Sequence, residues 1–261
     1  MGLLLKEGID FDLIKTALIA FLSIGFFIFL INYLPILKTR LPNYSLQLAG
    51  LIGNTSFLGI PIALALLPTS TINFTIGFDL GTTLFAWIFG PFFLQKKTDS
   101  NTKLNFKELL KAIVNSPASR GILGVLIAYL FGLEKVLGDY LWIPARIVIV
   151  LAIVVVGTKL GIITNSKTKF LNSNKGIKYS IILKLFIFPL FIFIFSEILG
   201  FNLNETSAVV LQAGTPSAVS TILMAEAYKT NQKIAATILF ATTLISIITI
   251  PILANLINFS Q

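Results

Sequence analysis

Two short stretches hold the polar residues whose spacing has chemical meaning in an otherwise apolar chain. The first, "GNTSFLGIP" (53–61), sets Asn54, Thr55 and Ser56 beside Gly53 and ends on Pro61. The second, "GTPSAVS" (214–220), sets Thr215, Ser217 and Ser220 around Pro216. Amides and hydroxyls next to interrupted backbone orient a ligand by hydrogen bonds; they do not break covalent bonds. The chain has no His and no Cys. That removes thiol nucleophiles, disulfides, iron–sulfur clusters, the usual zinc sites and imidazole acid–base chemistry. Asp79 reads as the one charge well inside an apolar run, about 12 Å from the start of its helix at 1.5 Å per residue. With no second deep carboxylate it cannot form a catalytic pair. No GxxxxGK[ST] phosphate loop occurs, so neither enzymatic chemistry nor ATP-driven pumping by this chain alone is expected.

The elements that must hold these residues are membrane helices. Of 261 residues, 56% are hydrophobic, 12% are charged and 23 are Phe, whereas a soluble domain carries about a quarter charged residues. A span needs about 20 apolar residues. Eight are read: 11–34, 46–68, 71–94, 116–133, 141–163, 179–200, 206–227 and 231–257. Between the third and fourth, "LNFKELLKAIVNSP" (104–117) reads as an amphipathic helix, either on the membrane surface or in a solvated loop. An even number of spans puts both termini on one side. Sixteen of the twenty Lys and Arg residues fall on the opposite side, leaving Lys6, Lys15, Lys135 and Arg146 with the termini. The positive-inside rule therefore predicts both termini outside the cytoplasm. Lys159 and Lys184, just inside spans, are expected to snorkel to the surface. The net charge of +9 is explained by these loops, and no nucleic-acid partner is expected.

The two polar stretches interrupt spans two and seven. Each interrupted span is preceded by a Phe-rich helix and followed by a long apolar helix with a late proline, Pro91 and Pro251. The order regular, broken, regular thus occurs twice, five spans apart, and an odd offset inverts the second set in the membrane. Inverted repeats with interrupted helices in matching positions point to a secondary transporter's substrate site. A proline removes a backbone donor and frees a carbonyl of the preceding turn. Such backbone survives at membrane depth only when buried in protein or lining a wet cavity. Half-helix N-termini converging there suit an anionic group. The alternative for each break taken singly is an ordinary proline kink satisfied by neighbouring Ser and Thr.

These residues resemble a known family. "GNTSFLGIPIALAL" and "GTPSAVSTILMAEAYKTNQKIAATILFATTLISIITIPIL" look like the two signature regions of the auxin efflux carrier family, which includes bacterial malate-type permeases. "FDLGTTLFAWIFG" (78–90) resembles the helix after the first signature, and "VLAIVVVGTKLG" (150–161) the family's seventh helix. The resemblance implies an all-α polytopic fold of two inverted five-helix repeats, whose fourth and ninth helices are broken and cross at prolines, here Pro61 and Pro216. It implies transport of organic anions by a crossing-helix domain moving against a scaffold, with Asn54 holding a substrate carboxylate. The eight spans correspond to family helices 3 to 10, so the first two helices lack a counterpart and the repeats read as 3 + 5. Thr82 stands where the family commonly has Asn.

The expectation is a single membrane transporter domain over 1–261, with 11–94 the remnant of the first repeat, 95–115 a cytoplasmic loop and 116–257 the second repeat. Its function is that of a permease or efflux carrier for a small organic anion, working by alternating access in the cell (inner or plasma) membrane. Asn54, Thr55, Pro61, Thr215, Pro216 and Ser217 are the candidate substrate contacts. Asp79, flanked by Gly77 and Gly81, is the candidate coupling site or else a buried hydrogen-bonded carboxylate. No cofactor or metal is expected, with H+ or Na+ as coupling ions. Beyond the lipid bilayer, a homodimer or partner subunit would cover the surface left by the missing helices. The competing reading is a truncated carrier fold serving as a membrane sensor or assembly subunit without flux. Glu226 reads as an interfacial residue or a partner of Lys229.

Overall fold

A computed structural model describes residues 2–95, 117–165, 175–227 and 230–258. The amphipathic segment predicted at 104–117 lies outside the described residues, apart from Pro117, where a helix begins. Among the described residues the named elements are all helical, and the one β-type contact is an isolated bridge. In chain order the helices are α1 (Gly2–Glu7), α2 (Phe11–Tyr33), α3 (Pro35–Arg40), α4 (Tyr44–Ala49), α5 (Ile60–Leu66), α6 (Ile72–Gln95), α7 (Pro117–Leu130), α8 (Glu134–Asn165), α9 (Lys175–Ile182), α10 (Phe188–Ile198), α11 (Leu203–Ala213), α12 (Ser220–Ala227) and α13 (Gln232–Asn258). A π-helical turn, Thr55–Gly59, leads into α5, and a second, Leu183–Ile187, joins α9 to α10 without a break.

The eight predicted spans correspond to α2, α4–α5, α6, α7, α8, α9–α10, α11–α12 and α13. Among the described residues, three of them, Phe11–Tyr33, Lys175–Ile198 and Gln232–Leu256, are by length and composition apolar enough to cross a membrane by themselves. At 23 residues, α2 is about 34 Å long against a hydrocarbon core of about 30 Å. The fifth span differs most from expectation. It starts at Glu134, seven residues early, and Pro144 does not end it. That extension packs on α1, and Lys6 pairs with Asp139 across an exposed 2.5 Å contact.

Local chemistry sets the helix starts. Asp10 caps α2 by accepting from the Leu13 amide at 2.8 Å, and Asn43 caps α4 through Leu46 at 2.9 Å. Asn202 and Glu205 form a reciprocal capping box at the start of α11. Small residues set a close helix contact between α2 and α6. A Cβ at Gly77 would collide with Thr16 and the Leu13 carbonyl, and one at Gly81 with the Ala17 backbone. This is the close approach that small residues permit between membrane helices. The core then joins α2, α4, α6 and α10: Ile24, Phe27 and Ile28 pack with Leu48, Phe78, Leu185 and Phe188. The Phe27 ring meets Phe188 edge-on with centroids 5.7 Å apart. Around this core the two interrupted helices are brought side by side at their breaks.

Candidate functional site

The two breaks pair with each other. Gly53 lies antiparallel to Ser217. The Asn54 amide donates to the Pro216 carbonyl at 2.7 Å, and the Ala218 amide donates to the Ile52 carbonyl at 3.0 Å. Backbone groups released from both helices thereby satisfy one another, which is what non-aqueous surroundings demand. Gly53 is required by the approach: a Cβ there would stand 2.5 Å from Thr215 Oγ1 and 3.0 Å from Lys184 Nζ.

Four half-helix ends meet around this bridge. At the positive end of the Thr55–Gly59 turn sits Asp79, from α6. Its Oδ1 accepts from Thr55 Oγ1 and from Ser56 Oγ, each at 2.6 Å. At the carbonyl end of α11 sits Lys184, whose Nζ donates to the Ala213 carbonyl at 2.6 Å. Anions favour helix N-termini and cations favour C-termini, so both charges complement the ends they touch. The carbonyl end of α4 receives a neutral donor, Ser180 Oγ on the Leu46 carbonyl at 2.9 Å. The fourth end, the N-terminus of α12, opens on a cavity.

That cavity holds about 280 Å³ and is lined by Gly53, Asn54, Thr55, Thr82, Thr83, Trp87, Ser220 and Leu223 among others. Asn54 is only 3% exposed, and its Nδ2 has no hydrogen-bond partner. A buried amide without a partner loses about 1–3 kcal/mol, and this one belongs to a residue that lines the cavity although its nitrogen has no exposed surface. Thr82 lines the same space, but its hydroxyl donates back to the Phe78 carbonyl at 2.9 Å.

Of the predicted residues, Asn54 and Thr55 line the cavity, and Pro216 carries the bridging carbonyl. Thr215 and Ser217 are fully buried in the crossing, outside the cavity lining. Thr215 Oγ1 donates to the Gln212 carbonyl at 2.7 Å, and the Ser217 amide donates to Thr242 Oγ1 at 3.0 Å. Pro61 is not at the crossing. It is the second residue of α5, beyond the π turn, in which the Ile60 amide bonds the Thr55 carbonyl. The break itself is made where Ile52–Asn54 leave the helix to pair with Pro216–Ala218. Pro61 widens the following turn, because its ring clashes with the carbonyl four residues back.

Lys184 corrects a second expectation. It does not snorkel: its exposure is 0%. Helix α9–α10 begins at Lys175 rather than 179, which carries Lys184 nine residues, about 13 Å, inward. The π turn containing it aims Nζ at the crossing, 5.3 Å from the Phe188 ring centroid. Lys159's side chain lies outside the described residues. Thr83 and Trp87 were also missed, although helical spacing puts them on one face with Asp79 and Thr82. Among the described residues no cluster of acidic side chains could hold a metal ion.

An all-helical membrane protein with a cavity between two interrupted helices has the build of a membrane transporter. The chain is a member of the membrane transport protein family, whose profile it matches over residues 3–254. It is also similar to a Methanocaldococcus jannaschii protein described as an uncharacterized transporter, at 25% identity over 210 residues. That match covers 78% of this chain and 65% of the relative, so the chain spans just under two thirds of the relative's length.

Proposed function

We propose that this chain is a secondary carrier for a small organic anion, most simply a carboxylate, bound in the cavity at the crossing. The observation that carries the reading is a cavity lined both by Asn54, whose buried Nδ2 has no hydrogen-bond partner, and by Ser220, the first residue of α12. A carboxylate would accept from the amide and sit at the positive helix end. Trp87, Ala86 and Leu223 give the apolar body of such a molecule a surface. The family supports transport; the anion rests on the donors.

In this reading the pair α4–α5 and α11–α12 moves as a unit and exposes the cavity to either side in turn, with the two sets of helices inverted in a plasma or inner membrane and both termini outside the cytoplasm. Asp79 is the candidate coupling residue. Two hydroxyls orient it through one carboxylate oxygen, and a carboxylate at membrane depth is a functional candidate by default.

The test is uptake of radiolabelled malate and of an aromatic acetate by liposomes containing the purified full chain. Asn54→Ala removes one hydrogen bond to a charged group, worth about 1.5–3 kcal/mol. Apparent affinity is expected to fall by at least about tenfold, with protein yield and Tm near wild type. Saturable binding without flux would favour the sensor or assembly-subunit reading. Unaltered uptake in Asn54→Ala would remove the proposed site.

A further inference from the structure

Lys184 is the largest polar side chain without exposed surface among the described residues. An ammonium held away from water is costly unless it is paired and hydrogen-bonded. No carboxylate among the described residues lies within ion-pair distance of it. Its surroundings are instead the terminal carbonyl of a half-helix, at 2.6 Å from Ala213, and the face of Phe188. The backbone of Gly53 lies alongside, where even a Cβ would come within 3.0 Å of Nζ and 2.5 Å of Thr215 Oγ1. Carbonyl oxygen at a helix's negative end, a neighbouring hydroxyl and an aromatic face are all cation-attracting groups. Carriers with interrupted helices hold their coupling Na+ at such unwound carbonyls and half-helix C-termini.

We propose that the Lys184 ammonium is a resident cation, standing at the crossing where a carrier of this architecture would otherwise bind an alkali-metal ion. With Lys184 at the negative end of α11 and Asp79 at the positive end facing it across the bridge, the crossing brings its own charges. The N-terminus of α12 is then the end left for an anion, and no Na+ or Li+ is needed to complete the site. Only this consequence for transport rests on the carrier reading. The placement of the cation is tested without any substrate.

The experiment measures Tm of the purified full chain in detergent by tryptophan fluorescence, in choline chloride, sodium chloride and lithium chloride at equal ionic strength. Wild type is expected to melt at the same temperature in all three, within about 1 °C, because its cation is covalently attached. Lys184→Ala opens the space beside the Ala213 carbonyl. It is expected to gain a saturable stabilisation by Na+ or Li+ over choline, of about 5 °C when the ion is far above its Kd. Lys184→Arg keeps the charge and is expected to show no alkali dependence. Saturable stabilisation of wild type by Na+ or Li+ would overturn the proposal, and so would a Lys184→Ala protein indifferent to both ions. If Lys184→Ala does not fold, Lys184→Met takes its place, with the same expected stabilisation by Na+ or Li+ and the same refuting indifference to both ions. No organic anion is present in these titrations, so failure of the anion site would leave them unchanged.

Discussion

Substituting Gly53 by Ala tests whether the bridged breaks hold the protein together as the geometry requires. The added Cβ would stand 2.5 Å from Thr215 Oγ1 and 3.0 Å from Lys184 Nζ. The hydroxyl cannot swing away freely, because it is held by the Gln212 carbonyl at 2.7 Å. Breaking that bond costs about 1 kcal/mol, and overpacking a filled interior by one methyl costs about 1–3 kcal/mol. The total, about 2–4 kcal/mol, corresponds to a Tm lowered by about 4–12 °C for a chain of this size. The assay is a double-mutant cycle on Tm with Gly53→Ala, Thr215→Ala and both together. Thr215→Ala alone loses the Gln212 bond, about 1 kcal/mol. In its background Gly53→Ala meets no hydroxyl, so the pair is expected to be more stable than the sum of the single changes by about 1 kcal/mol or more. A Gly53→Ala protein melting with wild type, or a strictly additive cycle, would refute the proposition that the two breaks touch at Gly53.

Two other changes probe the site and its frame. Asp79→Asn keeps the size of the side chain but not its charge; anion uptake driven by an imposed pH gradient is expected to lose that drive while downhill exchange persists, and uptake still responding fully to the gradient would exclude Asp79 as the coupling group. Gly81→Val places a branched side chain against Ala17 backbone atoms that a Cβ alone would approach to 2.8–2.9 Å. It is expected to destabilise by more than about 3 kcal/mol, seen as loss of monodisperse protein on size exclusion, whereas Gly121→Ala, where no atom of the described residues stands within 4 Å of the added Cβ, leaves the profile unchanged.

The positions of the interrupted helices were legible because lipid punishes unpaired backbone, so Gly53–Ser56 and Gly214–Ser217 stand out against their apolar flanks. What lay beyond reach was the register between the two breaks, since nothing in either stretch states that Gly53 faces Ser217. Pro61 drew attention as the obvious helix breaker, yet it stands beyond the crossing, where its ring keeps the Thr55–Gly59 turn wide rather than ending the helix. Lys184 was misplaced through the choice of a helix start. Counting from Lys175 would have put it as deep as Asp79, and a deep charge is a functional candidate by default. Thr83 and Trp87 belong to the face that Asp79 already marked, so spacing alone could have found them. Asn202 and Glu205, at the spacing of a capping box, mark the start of α11.

The two π turns share a layout: TSFLG is followed by Ile60 and Pro61, and LKLFI by Phe188 and Pro189. A wide turn is one residue of slack in a helix, and taking up that slack would rotate everything on one side by about 100°. In both helices the proline stands against it. Tightening the turn to α geometry would drive the Phe57 carbonyl into the ring of Pro61, and the Leu185 carbonyl into that of Pro189. The slack is therefore pinned, and with it the azimuth of Lys184 and of the hydroxyls that hold Asp79. Such helices resist twisting about their own axes. Any motion that carries the crossing from one side of the membrane to the other must displace them as stiff bodies, with the charges keeping their aim throughout.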